Sequence, residues 1–192
     1  MKKLIIFTML LALALSTSIA RAQVQNGSPA PDFTLKDSTG KDQKLSDYKG
    51  KIVVLEWANE ECPFCQRHYG DADTMIKLAN ANPDVVWLAI DSISTHTPET
   101  DAAWVQKEAI PFAVLSDQDG TVGKSYGAKT TPHMFIIGAD GTIAYQGAID
   151  NNPRGNKSHV VNYVEKALAE LKAGKPVTEA STKPYGCSIK YK

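Results

Sequence analysis

Two cysteines three residues apart, Cys62 and Cys65, are the residues of this sequence best placed to do chemistry. They stand where an apolar, β-branched run, 52–55, gives way to a stretch with apolar residues at helical spacing. Residues three apart on a helix share a face, so the two sulfurs can form a disulfide across the first turn. The free N–H groups and the dipole at this helix end favour a thiolate at Cys62. The pattern predicts a redox site in which Cys62 is the nucleophile and Cys65 resolves the mixed disulfide.

The pair is flanked by the two strongest strand patterns, at 52–57 and 85–90. A strand, a helix and a strand in that order predict a parallel pair with a right-handed crossover. The helix between them is expected to bury one face, formed by Cys65, Tyr69, Ala72, Ile76 and Ala79. Other segments are expected to form short strands at 32–35, 43–45, 112–115, 134–137 and 142–146 and helices at 97–108 and 158–173. A turn at 138–141 makes the strands around it antiparallel, so the predicted sheet is mixed.

Several motifs follow one another along the chain. They are Ala30-Pro31-Asp32-Phe33-Thr34-Leu35, Leu45-Ser46-Asp47-Tyr48-Lys49-Gly50-Lys51, Glu56-Trp57 leading into Cys62-Pro63-Phe64-Cys65, and Thr131-Pro132. In this order the chain resembles the thioredoxin superfamily, and more narrowly its secreted redoxin branch related to the alkyl hydroperoxide reductase and thiol-specific antioxidant proteins. The resemblance implies an α/β, thioredoxin-like fold, with a mixed β-sheet flanked by helices and an N-terminal hairpin extension. It also implies a thiol–disulfide oxidoreductase that acts on protein disulfides or dithiols and is reset by a redox partner.

Two further residues are predicted to serve the cysteine pair. The resemblance implies a cis peptide bond at Pro132 beside the thiols, and this would leave the Thr131 backbone free to pair with an extended substrate segment. Glu56 lies near the end of a strand that should be buried, and a buried carboxylate needs a reason. A carboxylate near Cys65, with its pKa raised by burial, could take the proton of that thiol. An exposed strand end fits the sequence as well, because the sequence does not determine which side of the sheet Glu56 faces.

The N-terminus predicts export. A positively charged start precedes an apolar run, 4–15, and a small-x-small cleavage pattern, 20–22. We therefore expect residues 1–22 to be a signal peptide and residues 23–174 a redoxin domain, in a periplasmic or secreted protein without stable membrane insertion. Cleavage would remove three basic residues and no acid, leaving 18 basic and 21 acidic residues. That acidic balance argues against a nucleic-acid partner.

Cys187 is the third cysteine and lies far from the pair in the sequence. Cys187, Ile189 and Tyr191 alternate with polar residues, which is the pattern of a half-buried strand. We expect residues 175–192 to dock on the domain as a short edge strand, with Cys187 too far from the pair to form a disulfide. An inert buried thiol and a third redox partner fit the sequence equally well.

Two alternative functions stay open. Peroxiredoxins of the resembled branch carry the pattern P-x-x-x-T-x-x-C, but Leu55 and Asn59 occupy its proline and threonine positions, which weakens a thiol peroxidase. His68 or His133 together with two thiols could hold a soft metal. The copper-carrying branch of the superfamily uses C-x-x-x-C, one residue longer, which weakens a copper-binding carrier. We therefore expect neither a metal nor a cofactor.

The direction of exchange depends on the pKa of the nucleophile. Glu60 and Glu61 directly precede Cys62, and their charges are expected to oppose its thiolate. The helix dipole, Arg67 and His68 act the other way. On balance the sequence weakly favours a reductant.

Overall fold

The structure, a computed structural model, describes residues 24–192. The expected signal peptide, residues 1–22, lies outside the described residues. The strands are β1 (Thr34–Asp37), β2 (Asp42–Lys44), β3 (Val53–Trp57), β4 (Val86–Asp91), β5 (Ala113–Ser116), β6 (Thr130–Thr131), β7 (His133–Ile137), β8 (Ile143–Gly147) and β9 (Cys187–Ser188). The helices are α1 (Pro63–Tyr69), α2 (Thr74–Ala81), α3 (Pro98–Glu108), α4 (Thr121–Tyr126) and α5 (Tyr163–Lys172), with a 3-10 helix at Leu45–Tyr48. In this part of the chain no helix is both long enough and apolar enough to cross a bilayer.

The main sheet has the strand order β2-β1-β5-β4-β3-β7-β8. Strands β3, β4 and β5 are parallel to one another, whereas β7 is antiparallel to β3 and β8 to β7. The β1–β2 hairpin joins the sheet through an antiparallel contact with β5. The mixed sheet, its flanking helices and the N-terminal hairpin confirm the predicted thioredoxin-like fold.

Strand β3 lies in the middle of the sheet and is buried along its whole length. Its side chains alternate between the two faces of the sheet, as in any strand. Leu55 and Trp57 pack in the core on one face, and Val54 packs on the other, in the cluster that contains Cys62 and Cys65. The apolar run that the sequence shows at this point thus forms a rigid base for the cysteine pair.

The helix after the cysteines is interrupted, contrary to the prediction of one continuous helix. Helix α1 ends at Gly70, and α2 begins only after Asp73, whose φ of 48° is left-handed. A Cβ at position 70 would lie 2.9 Å from the Gln66 carbonyl oxygen, so this position needs glycine. Cys65 and Tyr69 are buried as predicted. The break changes the phase of the second helix, in which Met75 and Leu78 are buried, while the predicted Ile76 and Ala79 are half-buried and Ala72 is exposed.

The last helix is shorter than the pattern predicted. Asn162 caps its N-terminus by accepting a hydrogen bond from the Glu165 N–H at 3.0 Å, so α5 cannot extend back to residue 158. Val160, which lies within the predicted helix but before the observed one, is 49% exposed.

Beyond α5 the chain turns back over the open edge of β8. The Gln146 N–H donates to the Ala180 carbonyl at 3.0 Å, and the Thr182 N–H donates to the Gln146 carbonyl at 3.1 Å. The Thr182 hydroxyl then accepts a hydrogen bond from the Ala148 N–H at 2.9 Å. These contacts fix the tail to the domain before it reaches β9, which pairs with β6.

Candidate active site

Cys62 is the N-cap residue of α1, after the loop that leaves β3. Pro63 takes the first helical position, where no N–H donor is required. The Cys62 sulfur lies 2.9 Å from the carbonyl oxygen of Thr131, and the residue is only 1% exposed. The predicted nucleophile is therefore held at the start of a helix, against the backbone of the loop that contains Pro132.

Cys62 has a pKa far below that of an ordinary thiol. A hydrogen bond from the Cys65 thiol is the main cause, followed by contacts with Cys187 and Thr131, and together they lower the pKa to about 4 against the opposing effect of burial. The expectation that neighbouring acids would keep this pKa high is wrong. The Glu61 side chain is 76% exposed and turns towards His96, whose Nε2 is 3.9 Å from its carboxylate. At neutral pH Cys62 is a thiolate.

Cys65 behaves in the opposite way. Its side chain is completely buried, and burial is the largest cause of a pKa well above the usual value of a thiol. The hydrogen bond with Cys62 and the charge of Glu56 raise this pKa further. The two thiols are therefore set apart as a thiolate and a protonated partner.

Glu56 is fully buried on the same face of the sheet as the cysteine pair, which answers the question that the sequence left open. One carboxylate oxygen, Oε2, accepts hydrogen bonds from the Tyr69 hydroxyl at 3.0 Å and the Trp87 indole N–H at 3.2 Å. Within residues 24–192 the other oxygen, Oε1, has no hydrogen-bond partner. Burial raises the pKa of Glu56 to about 8, so the carboxyl is mostly protonated at neutral pH and can exchange a proton.

No pattern in the sequence marks Tyr69 and Trp87 as partners of Glu56. The sequence predicted only that Tyr69 lies on the inner face of the helix, and in the structure both Tyr69 and Trp87 are buried. The register of β3 against β4 puts Trp87 beside Val54, two residues from Glu56. A strand pairing of this kind is the only signal that could have revealed the contact.

The Thr131–Pro132 peptide bond is cis, as the resemblance implied. The Thr131 backbone was also expected to be free for a substrate, but in the structure it is already paired. In β6, Thr131 pairs with Cys187 of β9 in antiparallel register. The C-terminal segment of the chain thus occupies the edge next to Pro132.

Cys187 lies beside the nucleophile. Its thiol shares a hydrogen bond with Cys62, and the pKa of Cys187 rises to about 11 through burial first and this contact second. The expectation that Cys187 would be out of reach of the pair is therefore wrong. The alternation in the tail is present, since Ile189 is buried and the residues on either side of it are exposed.

The two histidines near the pair are buried and engaged with protein partners. His68 is only 1% exposed, with Nδ1 3.1 Å from the Thr74 hydroxyl and Nε2 3.0 Å from the Tyr185 hydroxyl. His133 Nδ1 accepts a hydrogen bond from the Lys129 N–H at 3.2 Å. Burial lowers the pKa of both rings, to about 4 for His68 and about 3 for His133. Neither ring offers the cysteines a ready ligand for a soft metal.

A separate polar cluster lies at the end of β4. Asp91, His96 and Asp101 are buried, with ligand atoms within 4.8 Å of one another, and in the described part of the chain this is the one such group of three able to hold a metal ion. His96 and Asp91 already form an ion pair at 2.5 Å, and the hydrogen bond that His96 donates to Asp91 is the main cause of the raised pKa of His96. Burial raises the pKa of Asp101 to about 8. The cluster contains neither cysteine.

A family model described as the AhpC/TSA family matches residues 26–146, a span that contains β3, the cysteine pair and Pro132. The chain belongs to the AhpC/TSA family. This redoxin is 32% identical over 156 residues to the chloroplastic peroxiredoxin Q of Triticum aestivum, a match that covers 77% of this chain and 68% of that protein.

Solved structures show the same fold. An uncharacterized conserved protein from Geobacillus kaustophilus superposes with a TM-score of 0.80 at 29% identity, covering 88% of this chain and 94% of that one. A secreted Mycobacterium tuberculosis disulfide oxidoreductase, homologous to E. coli DsbE, superposes with a TM-score of 0.52 at 27% identity, covering 58% of this chain and 79% of that one. The redoxin thus resembles both a protein named as a peroxiredoxin and a protein named as a disulfide oxidoreductase.

Proposed function

We propose that this redoxin is an exported thiol–disulfide oxidoreductase that exchanges its Cys62–Cys65 dithiol or disulfide with protein substrates. One observation carries the proposal. The structure separates two neighbouring thiols into a thiolate, with a pKa near 4, and a protonated thiol whose pKa lies well above the usual value. Such a pair can attack a disulfide with one sulfur and release the product with the other.

In the first step the Cys62 thiolate attacks one sulfur of a substrate disulfide. A mixed disulfide forms, and the other substrate sulfur leaves as a thiolate. Because Cys62 is only 1% exposed, the substrate must approach as an extended segment along the edge at Thr131. Substrates are therefore protein segments that can take the place of β9.

In the second step Cys65 attacks the Cys62 sulfur and displaces the substrate thiolate. Cys65 must first lose its proton, and Glu56 is the buried group whose charge influences the pKa of that thiol. With a pKa of about 8, a minority of Glu56 is ionised at neutral pH, and this form can accept the proton and return it to solvent or product after the disulfide has closed. A redox partner protein then resets the pair.

The low pKa of Cys62 changes the expected direction. A stabilised thiolate stabilises the dithiol form, and this makes the corresponding disulfide a stronger oxidant. We therefore propose that the two steps run mainly in reverse, so that the Cys62–Cys65 disulfide accepts electrons from a protein dithiol, and the reductant direction that the sequence weakly favoured becomes the second choice. Export to a periplasmic or extracellular compartment agrees with this direction, because stable disulfides are made there.

Turnover of insulin disulfides, with dithiothreitol as the reductant, tests the proposal. We expect Cys62→Ser to abolish turnover and Cys65→Ser to trap substrates as mixed disulfides on Cys62. Both variants also carry Cys187→Ser, so that no other thiol of the chain can release the trapped substrate, and they are compared with Cys187→Ser alone. Alkylation of Cys65 ahead of Cys62 at pH 5 would reverse the assignment of the two roles.

The second candidate is a thiol peroxidase, which the likeness to peroxiredoxin Q favours. A thiolate at Cys62 could also attack a peroxide. Leu55, however, packs in the core on the opposite face of the sheet from Cys62. The side-chain oxygen of Asn59 accepts a hydrogen bond from the Glu61 N–H at 2.8 Å. Stopped-flow oxidation by hydrogen peroxide decides between the two. Formation of a sulfenic acid on Cys62 faster than insulin exchange would make the peroxidase the better proposal.

A further inference from the structure

Strand β9 covers the edge at which a substrate segment is proposed to pair. Residues 187–188 are antiparallel to residues 130–131, and the Ile189 N–H donates to the Lys129 carbonyl at 3.2 Å. This is the backbone pairing by which an extended peptide binds a sheet edge. The chain therefore fills its own substrate position with a segment that contains a cysteine.

The contact is close and depends on particular residues. Cys187 stands directly opposite Thr131, whose carbonyl oxygen lies 2.9 Å from the Cys62 sulfur. A Cβ at Gly186 would lie 2.0 Å from that same oxygen, and the φ of Gly186 is +145°. Only glycine permits this approach. The Cys187 thiol is thereby brought into a hydrogen bond with Cys62.

The segments on both sides of Cys187 are also anchored. The Tyr185 hydroxyl lies 3.0 Å from Nε2 of His68, and its ring centre is 5.9 Å from that of Phe64, between the two cysteines of the pair. On the other side the Tyr191 hydroxyl donates to a backbone carbonyl at 2.9 Å. The position of the Cys187 sulfur is therefore defined by the fold and does not depend on a loose terminus.

We propose that Cys187 is a third redox-active thiol, which exchanges with the Cys62–Cys65 disulfide as a substrate carried by the chain itself. The inference rests on the proposed function, because it requires Cys62 to be competent in exchange. The sulfur of Cys187, as a thiolate, attacks the Cys62 sulfur, and the Cys62–Cys65 bond breaks as the Cys62–Cys187 bond forms. The electron pair of the broken bond leaves on Cys65, which takes up the proton that Cys187 gave up, so there is no net oxidation.

The resulting isomer holds β9 covalently over the edge at Thr131. A substrate that needs this edge is excluded until Cys65 attacks Cys62 and releases the tail. When Cys62 is in a disulfide it no longer shares a hydrogen bond as a thiolate with Cys187, which removes one of the causes that raise the pKa of Cys187. The nucleophile of the exchange is thus more available in the oxidised protein than in the reduced one.

The Cys65→Ser variant of the full chain isolates the proposed exchange, because only Cys62 and Cys187 remain. Oxidised glutathione first forms a mixed disulfide on Cys62, and Cys187 then displaces glutathione as its thiolate. With reduced glutathione held at about 0.1 mM, a tenth of the millimolar effective concentration of a thiol on a short tether, we expect the internal Cys62–Cys187 link to exceed glutathionylated Cys62 about tenfold or more by peptide mapping.

Three variants act as controls. Cys65→Ser with Cys187→Ser should hold glutathione stably on Cys62, whereas Cys65→Ser with Ser188→Ala should behave as Cys65→Ser alone, because Ser188 is exposed. Cys65→Ala replaces Cys65→Ser if the serine variant is not folded by circular dichroism. Equal glutathionylation of Cys62 with and without Cys187, in a folded protein, would overturn the inference.

Two separate readouts, insulin turnover and the internal Cys62–Cys187 link, distinguish failure of this inference from failure of the proposed function. Insulin turnover by the wild-type chain tests the function and does not depend on whether the internal link forms. Turnover without the internal link contradicts only the role of Cys187. An internal link without turnover supports the exchange between Cys62 and Cys187 and contradicts the action on protein substrates.

Discussion

Replacing Glu56 by glutamine should make the redoxin more stable and its exchange slower. A protonated Glu56 presents an oxygen that accepts from Tyr69 and Trp87, and glutamine keeps that oxygen and the shape of the side chain. Its amide nitrogen takes the place of Oε1, which has no partner within residues 24–192. The substitution therefore removes a titrating group and changes little else.

The size of the stability effect follows from the pKa of Glu56, which is about 8 in the folded protein against 4.5 for the exposed side chain. Between these values the folded state holds a proton that the unfolded state has released, so stability falls as the pH rises. At about 1.4 kcal/mol per pH unit, the loss in the wild type is about 3 kcal/mol at pH 7 and about 5 kcal/mol above pH 8. Glu56→Gln should regain these amounts and should show no gain below pH 4.5.

Urea unfolding of the reduced protein from pH 4 to pH 8.5 measures this difference. The exposed acid Glu61 supplies the matched control, and Glu61→Gln should leave the difference from wild type flat across the range. Single-turnover release of substrate from the mixed disulfide should be about 100-fold slower in Glu56→Gln, since a general base contributes at least this factor. A stability gain that does not change with pH would show that Glu56 is ionised in the folded state, and the argument for proton transfer would then be lost.

Three further outcomes are expected. Alkylation of Cys62 by iodoacetamide should be constant from pH 6 to pH 8 and half-maximal near pH 4, since its pKa is lowered mainly by the hydrogen bond from Cys65; a midpoint near pH 8 would contradict this. Because that pKa lies about three pH units below that of the thioredoxin nucleophile, the Cys62–Cys65 couple should have a reduction potential of about −190 mV, measured against glutathione. A reduction potential near −270 mV would instead favour the reductant direction. Gly186→Ala should release β9 and speed the alkylation of Cys187 at least tenfold, whereas Gly174→Ala, which has a φ of +67° but no atom within 4 Å of the added Cβ, should not.

The parts of the site that the sequence predicted are those set by local patterns. The apolar run before the pair, the proline after Cys62 and the three-residue spacing were enough to place a strand, a helix start and two thiols of different roles. The alternation in the tail likewise indicated a docked strand. Each of these depends on residues that are neighbours in the sequence.

The rest depends on contacts between distant segments. The direction in which Glu56 points is decided by strand register, since a shift of one residue would turn it to the other face. The break before α2 depends on Gly70, and a single glycine is often tolerated inside a helix. The meeting of Cys62 and Cys187 requires the glycine at position 186 to pass against Thr131, and no local pattern contains that information.

The attachment of Thr182 to the backbone of Ala148 sets how far Cys187 can travel. If β9 opens while this attachment holds, the five residues from Thr182 to Cys187 allow the thiol to move by at most about 17 Å. A thiol confined in this way stays at an effective concentration on the order of millimolar near Cys62. Closure of the internal bond is then a unimolecular event whose rate is the same in a dilute extracellular fluid as in a crowded compartment, whereas capture of an outside protein slows in proportion to its dilution.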